Sequence, residues 1–205
     1  MLILASSSIG RKRVLKNLGL RFEIIPAYID EEKITSTNHI ALVKKIAKVK
    51  ALAILARINT NTTNTTNDKL IIAADSMVVF RGQTYGKPKT KEEAKRFLRI
   101  FSGKTHEFIT GLCVINTKTK RIYQASAKTK VKFEKLTQKE IDDYVAAAPV
   151  TLFAGAYSLE EEGAEILKPK ITILGSKSNV LGLPVEKLTP ILRKEGINIQ
   201  KSLPV

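Results

Sequence analysis

At 205 residues, 43% of them hydrophobic, the chain can bury a sizeable core and fits one domain, which excludes a disulfide-stapled miniature scaffold. Lysine and arginine outnumber aspartate and glutamate by 35 to 19, a formal charge of +16, so anionic partners come first: nucleic acid, a membrane surface or a phosphorylated small molecule. Met1–Ala5 is too short for a signal-peptide core, no apolar run reaches membrane-span length, and a single cysteine forms no internal disulfide, so we expect a cytoplasmic protein with no membrane partner.

Met1–Ala5 reads as a buried strand, and Ser6–Gly10 as a small-residue loop feeding a helix from about Arg11 to Leu18, stopped by Gly19. A strand, a small polar loop and a helix start can hold an anion on backbone N–H groups, with Ser hydroxyls, Arg11, Lys12 and Arg13 adding donors; an ordinary serine N-cap explains the same residues. Phe22–Ile25 is a second strand, followed by an acidic loop, Asp30-Glu31-Glu32. Apolar spacing from Ile40 to Arg57 predicts an amphipathic helix carrying Lys50, with His39 in the polar loop before it. Asn59–Asn67, all Asn and Thr, reads as a surface loop.

Ile71–Phe80 is a run of strand formers fit for burial with one carboxylate, Asp75, near its middle. A buried ionised Asp is costly unless a cation or donors compensate it, so either it caps a strand end or it serves chemistry. Arg81–Thr84 reads as a hairpin turn, and Tyr85-Gly86-Lys87-Pro88 ends a return strand whose Lys87 can reach anionic oxygen. A carboxylate and an ammonium on paired strands suit a metal-bound phosphate.

Beyond a helix over Lys91–Ile100, strands are expected at Glu107–Ile115, Arg121–Ala127 and Thr129–Phe133, as an antiparallel meander. Cys113 sits in an apolar stretch where a structural thiol is expected. Thr137 and Glu140 form a capping box opening a helix through Val145. Phe153–Tyr157 reads as small and flexible, open to a ligand. A basic strand segment and a loop from Gly175 to Pro184 precede a closing helix, Val185–Lys194. The lysine-rich helices space their charges as solvated faces without aromatic interleaving, which disfavours nucleic acid as the main partner. His106, beside a turn and strand, reads as structural.

The ordered set Leu4–Ser8 with Arg11, Asp30-Glu31, Ala47–Ala51, Ala74–Val78, Gly86–Pro88, Ser102–His106, Ala154–Tyr157 and Gly182–Pro184 resembles the Maf family over nearly the whole chain. The resemblance implies a mixed α/β fold of the Maf and ITPase-like kind: an elongated twisted mixed sheet with flanking helices, spanning residues 1–205 as one domain with two lobes around a central cleft. It implies hydrolysis of a nucleoside triphosphate between its α and β phosphates, with a divalent cation (Mg²⁺ or Mn²⁺), often in a homodimer. It makes Asp75 the general base or a metal ligand, Glu31 a metal-linked carboxylate, and Lys50, Lys87 and Arg11 phosphate contacts. Ser6 and Ser8 line the phosphate loop. Ser76 keeps the hydroxyl of the family's usual Thr.

Two further departures stand out. Where many members read Ser-Pro-Arg-Arg this chain reads Ser8-Ile9-Gly10-Arg11, leaving Arg13 or Lys12 as possible substitutes for the first Arg. Glu160 stands where the dTTP and UTP class carries a base-reading Gln, and a carboxylate only accepts hydrogen bonds. The Ala154-Gly155-Ala156-Tyr157 core still leans towards that class. The competing reading is a non-catalytic regulatory or nucleic-acid-binding protein linked to septum formation. Against it, a pure binder of anions has no need of Asp75 and Glu31.

Overall fold

The computed structural model describes residues 1–60 and 68–199 and shows a mixed α/β fold. Its strands are β1 (Leu2–Leu4), β2 (Phe22–Ile24), β3 (Leu70–Phe80), β4 (Gln83–Tyr85), β5 (Thr105–Asn116), β6 (Ile122–Phe133) and β7 (Ile171–Leu174). They form one sheet of seven in the order β2-β1-β3-β5-β6-β7, with β4 paired to β3. The sheet is mixed, because β1 runs parallel to β2 and β3 whereas β3–β4 and β6–β7 are antiparallel. Two compact units divide the chain: Met1–Asp75, Thr110–Ala127 and the segment from Ser178 onward form the first, Ser76–Ile109 and Lys128–Lys177 the second.

In the first unit the period of two along each strand sorts side chains between two cores. Leu2, Leu4, Leu70, Ile72, Ala74, Leu112 and Val114 face helices α1 (Ile9–Asn17) and α7 (Val185–Lys194) through Val14, Leu15, Leu188 and Leu192. Ile3, Ala5, Ile71, Ala73, Cys113 and Ile115 face α2 (His39–Thr60) through Ala47, Ala51 and Ile54. Helix α2 lies directly on β5 at Gly111, where a Cβ would come within 2.4 Å of the Val43 carbonyl. Asp75 has the parity of Ile71 and Ala73, and so belongs to the α2 side.

In the second unit, α3 (Lys91–Phe101) is capped by Thr90, whose Oγ1 accepts from Glu93 N at 3.1 Å, and it buries Ala94, Phe97, Leu98 and Phe101. The capping box of Thr137 and Glu140 opens α4 (Gln138–Ala147), as expected. Two short helices follow in the chain: α5 (Ala164–Leu167) within this unit, and α6 (Lys177–Val180), whose residues from Ser178 on belong to the first.

Several expectations are corrected. The two strands expected over 121–133 are one, β6: Ala127, Thr129, Val131 and Phe133 are buried while Lys128, Lys130 and Lys132 are exposed, so the alternation passes unbroken through Lys128. His39 is the first residue of α2, because the Asn38 carboxamide accepts from Ile40 N at 2.8 Å and starts the helix one residue earlier. The Arg81–Thr84 turn contracts to Arg81-Gly82, both at positive φ, with Thr84 already in β4. Neither α5 nor α6 was expected, being single-turn helices of four residues each, too short for a periodic pattern. Of the Asn/Thr run, Asn59 and Thr60 end α2, and residues 61–67 lie outside the described residues.

Candidate active site

Four charged side chains meet in the first unit. Asp75, 8% exposed, interrupts the apolar run of β3 at its middle, and its Oδ1 lies 2.8 Å from Lys50 Nζ. Lys50, also 8% exposed, projects from α2, and its ammonium lies 2.9 Å from Glu31 Oε1. Glu31 opens a 3₁₀ turn, Glu31–Lys33, and is half-exposed. Arg11 on α1, 9% exposed, is the second cation: burial lowers its pKa, opposed by the negative charges of Asp75 and Glu31. The buried charges of Asp75 and Lys50 are thus paired with each other, and Arg11 is hydrogen-bonded, as burial requires.

The loop before α1 is built on two hydroxyls. Ser6 Oγ accepts from Ser8 N at 3.2 Å and from Arg11 Nη1 at 2.9 Å. Ser8 is the N-cap of α1, its Oγ accepting from Arg11 N at 3.5 Å. Arg11 Nε donates to Gly182 O at 2.9 Å, which joins two of the family motifs, Leu4–Ser8 with Arg11 and Gly182–Pro184, through a backbone carbonyl. Arg13 lies on α1, partly buried.

The remaining predicted residues, Ser76, Lys87 and Glu160, belong to the second unit. The ladder of β3 and β4 ends at Val78 and Tyr85, so Lys87 is not on a paired strand as expected but two residues past it, and exposed. Glu160 Oε1 is paired at 2.8 Å with Lys177 Nζ, a partner that the sequence reading passed over. The Phe153–Tyr157 stretch is not open to a ligand where it carries its glycine: Gly155 N donates to Gly86 O at 2.9 Å, and a Cβ on Gly155 would meet Val78 Cγ2 at 2.6 Å.

His106 is structural. Only 2% exposed, its ring stacks 4.4 Å from Phe101, and Nε2 hydrogen-bonds Tyr157 Oη at 2.9 Å. Burial lowers its pKa from 6.5 to about 4. Because the folded pKa lies below the unfolded one, the unfolded state binds more protons, and stability present above pH 6.5 is lost as pH falls towards 4. The difference corresponds to about 3 kcal/mol. Urea titrations of the parent between pH 7 and 4 should show that loss and His106→Phe should not; parallel profiles would mean that His106 titrates normally. Cys113 is equally inert, its thiol pushed up to about 12 by burial.

Among the described residues no three His, Cys, Asp or Glu side chains converge as a metal cage. Two carboxylates on either side of one ammonium do fit the Mg²⁺ mode, in which one or two protein carboxylates are completed by phosphate oxygens and water. A hydroxyl-lined helix start beside them suits the phosphate oxygens.

The family model described as "Maf-like protein" matches residues 1–195 of this chain. The chain belongs to the Maf family. Among curated Maf relatives, a dTTP/UTP pyrophosphatase of Pelotomaculum thermopropionicum is 36% identical over 198 residues, covering 97% of this chain and 98% of the relative. Those of Alkaliphilus metalliredigens (37% identical over 193 residues, covering 94% and 95%) and Aquifex aeolicus (36% over 192 residues, covering 94% of each) are similar in the same way. Among solved structures, the Staphylococcus aureus Ham1 protein aligns at a TM-score of 0.47 and 13% identity, covering 95% of this chain and 98% of that one. No helix among the described residues is long and apolar enough to cross a membrane.

Proposed function

We propose that this Maf protein is a nucleoside triphosphate pyrophosphatase, hydrolysing dTTP or UTP to the monophosphate and pyrophosphate. The observation that carries the reading is the pairing of Lys50 with both Glu31 and Asp75 in the unit that also holds the Ser6-Ser8-Arg11 loop. The relatives, themselves dTTP/UTP pyrophosphatases, support the same activity.

Displacement at phosphorus needs an oriented water, a base for its proton and positive charge for the oxygens. In this reading Asp75 takes the proton of water. Lys50 holds its Oδ1, so the carboxylate is fixed in direction and Oδ2 is the atom that accepts. The serine hydroxyls and the N-terminal N–H groups of α1 receive phosphate oxygens, and Arg11 adds positive charge. Asp75 and Glu31 are the residues that would hold Mg²⁺ or Mn²⁺, which when bound neutralises phosphate charge. Ser76, Lys87, Arg13 and Glu160 are proposed as substrate contacts on the family resemblance, as is a homodimer; a cytoplasmic location rests on the composition. The nucleic-acid-binding alternative is not favoured, since a pure binder of anions has no need of two carboxylates that a metal-dependent hydrolysis would use.

The test is a panel of ordinary and modified nucleoside triphosphates with Mg²⁺, with Mn²⁺ or with excess chelator. The expected result is the highest kcat/KM on dTTP and UTP and no turnover under chelation. Absence of triphosphate turnover with either metal would contradict the proposal.

A further inference from the structure

Gly10 is the second residue of α1, and its φ is not in the left-handed region, so its backbone suits any residue. Space, not conformation, demands the glycine there: a Cβ would lie 2.6 Å from the Leu181 carbonyl oxygen and 3.4 Å from its carbon. The next residue on the helix, Arg11, binds the next carbonyl, Gly182 O. Two consecutive helix residues therefore seat two consecutive carbonyls.

The turn that presents them is itself fixed. Gly182 N donates to Asn179 O at 2.8 Å and Leu183 N to Ser178 O at 3.0 Å. Asn179 O also accepts from Thr110 Oγ1 of β5 at 3.2 Å, and Thr110 is fully buried. From the turn the connection runs through the Arg11 guanidinium to Ser6 Oγ and on to Ser8 N, all within the first unit.

We propose that the turn Asn179–Gly182 is a seat that sets the phosphate loop, with Gly10 and Arg11 as its positioning residues. Arg11 then acts on substrate chiefly by holding Ser6, and the Gly10 departure from Ser-Pro-Arg-Arg has a physical reason: a side chain there would displace the Leu181 carbonyl and pull the guanidinium off Ser6. The inference rests on the reading of Ser6–Arg11 as a phosphate loop.

Helix propensity alone predicts that Gly10→Ala stabilises the full-length protein. The seat predicts the opposite. Thermal midpoint, kcat and KM on dTTP, and the Kd of a non-hydrolysable α,β-imido dUTP by calorimetry are compared for the parent, Gly10→Ala and Thr110→Val. Gly10→Ala is expected to lower the midpoint and, well below it, to raise KM and Kd on the order of tenfold, the effect of losing one well-placed hydrogen bond to a charged phosphate oxygen. Thr110→Val, which loosens the far end of the turn, should raise the same Kd by less. A raised midpoint with unchanged Kd, or a lowered midpoint with KM and Kd unchanged in both variants, overturns the seat alone. A parent that binds no nucleotide overturns the pyrophosphatase reading, and the seat's role with it.

Discussion

Asp75→Asn should fold as the parent does and lose most of its turnover. The amide keeps the volume, and its oxygen can still accept from Lys50 Nζ, now 2.8 Å from Oδ1. What it loses is the negative charge and the basicity. Removing a general base costs roughly 10² to 10⁴ in rate. The effect should appear in kcat on dTTP, with a thermal midpoint within a few degrees of the parent. Turnover near that of the parent would remove Asp75 from the chemistry.

Lys50→Met should be damaged twice over. Methionine fills similar space, but it leaves Asp75 buried without its ammonium and Glu31 without the charge that holds it. Removing one partner of a buried pair costs about 3–5 kcal/mol, and the half-exposure of Glu31 places this case near the lower end. Turnover should fall by roughly 10²-fold or more, as when one preorganised donor is removed from a site of developing charge. The double variant Lys50→Met/Asp75→Asn separates the two effects. It should recover stability over Lys50→Met, because the orphaned charge is gone, and it should recover no activity. Equal stability of the single and double variants would show that Asp75 is not compensated by Lys50.

What the sequence made legible was whatever leaves a local signature. β3 announces itself as an apolar run interrupted by one carboxylate, α7 spans the expected Val185–Lys194, and the Thr137/Glu140 box sits where its spacing puts it. The meeting of Asp75 with Lys50 was half legible: strand parity puts Asp75 on the side of Ala73, and Lys50 stands beside Ala47 and Ala51 on the helix covering that side. The rest depends on contacts between segments that no local pattern connects. Arg11 binds a backbone carbonyl 171 residues away, Gly10 is required by another carbonyl, and the Glu160–Lys177 pair forms across 17 residues that give no periodic cue. The break expected at Lys128 is absent because the residue points outward to Glu107 at 3.1 Å and leaves the strand continuous.

The central claim is attack by water on the α phosphorus, with pyrophosphate leaving. Turnover of dTTP in ¹⁸O-labelled water, followed by ³¹P NMR and mass spectrometry of the products, tests it directly. The account predicts one ¹⁸O in dTMP and unlabelled pyrophosphate as the first product. Label in inorganic phosphate or in pyrophosphate, with dTDP or unlabelled dTMP as the other product, would place the attack at another phosphorus and contradict it.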